Sequence, residues 1–175
     1  WDLSSGAVLR PFAVEARDLT ALRVTPDGKV AISTSMTGAV DAWDLESGAL
    51  LKSFQGSRDF IFALDVSRDG KRLLTGGRDK QLVLWDLGSG KQLKVIDTRA
   101  PVMCAVFAPD GSSALTCAGG WDLGPVAQLW SLETGQKLRE FVGYPKSASV
   151  KTAVFSPDGT RLVVSVTGMS DLFVF

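Results

Sequence analysis

Two short markers recur through the 175 residues in fixed phase, and they constrain the fold more than any other feature. The first is a Trp that opens an apolar stretch around a Ser/Thr-Gly pair. Trp1 opens WDLSSGAVLRPF, Trp43 opens WDLESGALLKSF, Trp85 opens WDLGSGKQLKVI and Trp130 opens WSLETGQKLREF. The second marker is VTPDG ending at Gly28, VSRDG at Gly70, FAPDG at Gly111 and FSPDG at Gly159. Self-similarity with a period of about 40–45 residues is the mark of a repeat architecture, in which units bury their faces against neighbours.

Each unit reads as four short strands. Pro pre-sets the first position of the Pro-Asp-Gly turn, and Gly accepts the positive φ that closes it. In the second unit, strands are expected at Phe62–Val66, Arg72–Thr75, Leu82–Trp85 and Gln92–Ile96, all short runs bounded by turn signals. No stretch has the period of a long amphipathic helix.

Composition removes several function classes. Hydrophobic residues make up 45 % of the chain and charged residues 22 %, the balance of a globular protein. Lys and Arg number 19, as do Asp and Glu, so there is no basic excess for nucleic acid. No apolar run reaches the length of a helical membrane span. The chain has no His, and no Asn occurs in it. That excludes Ser-His and Cys-His nucleophile pairs, imidazole metal ligands and N-glycosylation acceptors. The two cysteines, Cys104 and Cys117, are too few for a disulfide framework. They are expected as small buried residues on neighbouring strands with reduced thiols; a redox pair or half a metal site is the alternative.

With these markers the whole chain resembles the WD-repeat family of β-propellers, whose blades have four strands and end in Trp-Asp. The resemblance implies an all-β propeller region over 1–175, built of four-stranded antiparallel blades. Its repeats would run approximately 1–43, 44–85, 86–130 and 131–175, with 1–12 an outer strand completing another blade. Pro11 suits such an edge. Family propellers most often have seven or eight blades, so four imply about half a ring. The third strand of the last blade, Leu172–Phe175, would then lack an outer neighbour. Two arrangements are expected ahead of a closed four-bladed monomer. One is an eight-bladed dimer in which each chain's Ala7–Phe12 completes the other's last blade; the other is a half excised from a larger ring.

Family blades also carry a hydrogen-bonded set of His, Ser or Thr, Asp and Trp. Here the His positions fall near Glu15, Ser57, Thr98 and Lys146. The second blade retains Thr75, Asp79 and Trp85. The first retains Ser33 and Trp43 but has Thr37 in the Asp place, and the fourth has Phe175 in the Trp place. These residues are expected to be structural, with blade packing carrying the fold.

Candidate partner-binding residues lie on the loops. The third repeat is longer than the first two, and its extra residues fall in GGWDLGPVAQ, which holds Trp121. Tyr144 and Lys146 lie on the long connection into the fourth blade, and Met169 lies on a loop with one extra residue. By the resemblance these four share one face with Arg58, Arg78 and Lys80. Aromatic and Met side chains there would be binding anchors. Trp121 equally suits a cap over a blade edge, and the basic residues equally suit solvated loops. The resemblance implies a non-catalytic protein-interaction scaffold, cytoplasmic, binding protein partners and neither nucleic acid nor membrane, with no cofactor and no metal. One alternative is an enzyme or small-ligand propeller using carboxylates near the central channel, from among Asp41, Asp59, Asp65 and Asp79. Another is a sensor segment of a larger signalling protein.

Overall fold

The computed structural model describes residues 4–8, 18–57, 59–118, 126–143, 149–166 and 172–175. Among them the chain forms four consecutive antiparallel sheets and no helix. The first sheet orders β1 (Leu19–Val24), β2 (Val30–Ser35), β3 (Ala39–Asp44) and β4 (Leu50–Gln55) side by side. The second does the same with β5 (Ile61–Val66), β6 (Arg72–Gly77), β7 (Gln81–Asp86) and β8 (Gln92–Asp97). The third holds β9 (Cys104–Phe107), β10 (Ser113–Ala118), β11 (Val126–Ser131) and β12 (Lys137–Phe141). The fourth has β13 (Val150–Phe155), β14 (Leu162–Val166) and β15 (Leu172–Val174), with no fourth strand among the described residues.

The repeated turn explains the repeated shape. The Gly28 N–H donates to the Thr25 carbonyl at 2.8 Å, and Gly70, Gly111 and Gly159 repeat that bond at 2.8 Å each. Gly28 has φ +72°, a left-handed conformation that a Cβ would strain, so Gly ends the turn and the returning strand begins. Strands two and three then bury both faces. Leu73, Val83 and Trp85 point to the first sheet, where they meet Ile32, Val40 and Ala42. Leu74, Leu82 and Leu84 point the other way, to Ala105, Phe107, Ala114 and Trp130 of the third. Alternation of period two therefore feeds two cores from one strand. A third core joins Leu115 and Cys117 to Val150, Ala153, Leu162 and Val164.

The innermost strands β1, β5, β9 and β13 lie in succession along a concave inner wall. On the far side of the fourth sheet Val154, Leu172 and Val174 are exposed. On the outward face of the first sheet Leu22 and Val24 are exposed, and Ala31, Ser33 and Trp43 are buried.

The cysteines depart from the reduced state expected of them. Cys104 and Cys117 are on neighbouring strands, and they are joined as a disulfide. The β9–β10 register sets them directly opposite, with Cα atoms 4.9 Å apart, inside the span a disulfide bridges.

Candidate interaction surface

Three of the four sheets share one buried polar contact. The Trp43 indole N–H donates to Ser33 Oγ at 2.9 Å, Trp85 to Thr75 Oγ1 at 2.9 Å, and Trp130 to Thr116 Oγ1 at 2.8 Å. Thr116 was not among the residues singled out from sequence, although it stands at the same repeat position as Ser33 and Thr75. The Asp79 carboxylate turns instead to its own loops: it accepts from Ser57 Oγ at 2.6 Å and from the Gln81 N–H at 3.2 Å. Ser57, at an expected His position, thus supplies a donor to the turn Asp. Thr98, at another, reaches the carbonyls of Lys80 and Ala100 at 2.8 Å each. Thr37 shares a 2.7 Å hydroxyl contact with Ser35.

The fourth sheet replaces both members of the pair. The register that pairs Thr75 with Val83 pairs Val164 with Phe173, which puts Val164 in the Thr place and Phe175 in the Trp place. Phe175 keeps the packing: its ring lies 5.2 Å from Phe141, as Trp85 lies 5.0 Å from Phe54.

Of the loop candidates, Arg78 and Lys80 lie among the described residues. Arg78 is exposed, its guanidinium 5.8 Å from the Phe60 ring centroid and its N–H donating to the Phe60 carbonyl at 2.9 Å. That bond joins the β6–β7 loop to the connection entering β5, at one end of the second sheet. Lys80 is exposed and has φ +63°. Arg58, Trp121, Tyr144, Lys146 and Met169 lie outside the described residues, as do Trp1, Pro11 and Glu15.

The four innermost strands enclose an open groove of about 500 Å³ that includes Arg23, Phe62, Asp65, Met103, Cys104 and Lys151. Asp65 crosses it structurally. One carboxylate oxygen lies 3.6 Å from Arg23 Nε of the first sheet, and the other accepts the Phe107 N–H of the third at 2.8 Å. One side chain therefore ties three successive blades. Burial pushes its carboxyl above the ordinary carboxylate range, and the Phe107 N–H and Arg23 oppose that shift. The sequence signal was available: Arg23 and Asp65 are opposite charges at one repeat position, as the registers with Ile32 and Leu74 show. Among the other carboxylates, Asp59 accepts the Phe60 N–H at 2.8 Å and Asp41 is buried. No group of three or more His, Cys, Asp or Glu able to hold a metal occurs among the described residues.

Between the blades, lysines act as clasps. Lys52 of β4 donates to the Gly88 carbonyl beside the second sheet, and Lys94 of β8 donates to the Glu133 backbone carbonyl beside the third. A cleft of about 590 Å³ opens between the first two blades, lined by Pro26, Val30, Leu51, Lys52, Arg68 and Leu87. Val30 stands where the second sheet has Arg72, whose guanidinium lies over the Phe107 ring at 5.6 Å in the next junction.

A family model described as WD domain, G-beta repeat, matches residues 48–86. The fold is similar to the β-propeller domain of Cps50 (Swd1) from Myceliophteria thermophila, with a TM-score of 0.77 at 23 % identity over 88 % of this chain. The match covers 50 % of that domain's chain, so this chain spans about half its length. A search of curated proteins finds no match. One matched WD40 repeat, the recurrence of its markers in phase along the chain and the arrangement of all four sheets give the chain the fold of about half a β-propeller.

Proposed function

We propose that this chain is a non-catalytic scaffold that binds protein partners through the loop end of its blades. WD40 propellers are typically protein-interaction scaffolds. Fold alone does not fix function, and the observation that carries the proposal is the exposed Arg78 on its braced loop, at the end where Trp121, Tyr144, Lys146 and Met169 are expected to gather. A guanidinium held in place by a neighbouring ring can meet a carboxylate with little further ordering. The carboxylates give an enzyme less support, since Asp65 and Asp79 are each engaged by the protein's own donors.

The test is an affinity capture with the immobilised chain, compared with an Arg78→Glu, Trp121→Ala variant of unchanged circular dichroism. Partners retained by the first and lost by the second support the loop end as the binding face. Identical captured sets count against it.

The exposed Val154, Leu172 and Val174 support a second reading, in which further blades stack on the fourth sheet. They would come from a second copy, or from a longer parent chain or another polypeptide. Light scattering separates these, because a monodisperse species of 18.6 kDa removes the second copy.

A further inference from the structure

The two residues of the Cys104–Cys117 bond differ in exposure. Cys117 is completely buried in β10, packed with Val150, Ala153 and Val164 of the next blade. Cys104 is half-buried on the innermost strand, at the edge of that same cluster, and lines the inner groove with Phe62, Met103 and Lys151. It is also the first residue of β9, which has four residues where β1, β5 and β13 have six. The Cys104–Cys117 pair therefore ends its ladder rather than lying within it. Pairs at a ladder's end open more readily than pairs inside it.

We propose that this disulfide is a thiol-exchange site, entered from the inner groove at Cys104 by a low-molecular-weight thiol. The incoming thiolate attacks Cys104 Sγ and forms a mixed disulfide there. The Cys104–Cys117 bond breaks, and its electron pair leaves on Cys117 Sγ, which takes up a proton. A second thiolate then attacks the mixed disulfide at the small molecule's sulfur. It releases Cys104, which is protonated in turn, together with the oxidised dimer of the small thiol. The protein gains two electrons and two protons, and two small thiols supply them. The direction of attack follows from access, since the groove reaches Cys104 and the blade core closes over Cys117. The exchange cuts the covalent link between β9, which is bonded to Asp65 of the second blade, and β10, which packs on the fourth.

The experiment treats the air-oxidised chain with reduced glutathione, quenches in acid at intervals, denatures, alkylates and maps the peptides by mass. Before glutathione, neither cysteine should alkylate. At intermediate times the glutathione adduct should sit on Cys104, with the alkyl group on Cys117. Two single variants give an independent reading with oxidised glutathione as the probe. In Cys117→Ala, Cys104 should be modified while the chain is folded; in Cys104→Ala, Cys117 should react at least about tenfold more slowly. Free thiols in the air-oxidised protein would overturn the proposal. So would an adduct mainly on Cys117, a disulfide untouched by glutathione, or equal rates in the two variants. If a variant fails to fold, the adduct map on the unmodified sequence still decides.

Discussion

Thr75→Val removes the acceptor for the Trp85 indole and keeps the side chain's shape. Thr75 is 1 % exposed and Trp85 2 %, so water cannot replace the lost oxygen. The 2.9 Å bond disappears, and a buried N–H remains without a partner. A donor orphaned in this way costs about 1–3 kcal/mol. A chain of this size loses about 2–4 °C of melting temperature per kcal/mol, so the variant should melt roughly 2–12 °C lower. The fourth blade supplies the control, because Val164 and Phe175 replace both partners at once. Thr75→Val, Trp85→Phe in the second blade should therefore cost less than the two single changes added together, by about 1–2 kcal/mol. Urea unfolding followed by Trp fluorescence and circular dichroism would measure all three variants. The reasoning is refuted if Thr75→Val costs under about 0.5 kcal/mol, or if the two changes add to within that margin.

Asp65→Ala orphans the Phe107 N–H and leaves Arg23 without its carboxylate, and should cost about 1–3 kcal/mol; Asp65→Asn, which retains an acceptor, should cost less in the same urea assay. The raised carboxyl of Asp65 also has a sign. Its contribution to stability is full below the unfolded pKa and is lost as pH rises through the folded one, so the chain should lose stability relative to Asp65→Asn on going upward from about pH 4. Asp27, Asp69, Asp110 and Asp158 act oppositely. Side-chain hydroxyls of Thr25, Ser67, Ser112 and Ser156 hold their carboxyls below the ordinary value, so stability should fall as pH drops below about 4. With no His in the chain, melting temperature should be nearly level from about pH 6 to 8. Gly77→Ala would bring a Cβ to 2.1 Å from the Phe60 carbonyl oxygen, and soluble yield and melting temperature should both drop well below those of an exposed-site control such as Ser89→Ala.

Strand placement in the second repeat was legible because turn chemistry and alternation are local. The expected Phe62–Val66 and Gln92–Ile96 differ from β5 and β8 by one residue at an end. Burial of Trp43 and Trp85 followed from the same pattern. What a single repeat could not reveal was contact between repeats. Asp65 looks like any strand carboxylate until it is compared with Arg23 at the same position one repeat earlier. The Phe175 substitution likewise made sense only beside Val164, because neither change alone shows that a donor and its acceptor left together. The cysteines were legible as neighbours but not as a bond, since bonding depends on register, and Cys104 and Cys117 could have faced opposite sides had it shifted by one. Trp121 was the main candidate anchor, and it lies outside the described residues with the other long-loop candidates.

The position that carries Arg23 and Asp65 in the first two blades carries Val106 and Val154 in the last two. In a repeat protein, stability propagates through nearest-neighbour junctions, and unequal junctions give unfolding a direction. Loss of the second blade strands a charge in the first and an amide in the third, so these three are coupled as one cooperative block. The fourth is joined to it by apolar packing and can peel away without leaving either group unpaired. Hydrogen exchange should therefore run down a gradient from β14 toward β6, with the amides of Leu162–Val166 opening first and those of Arg72–Gly77 last.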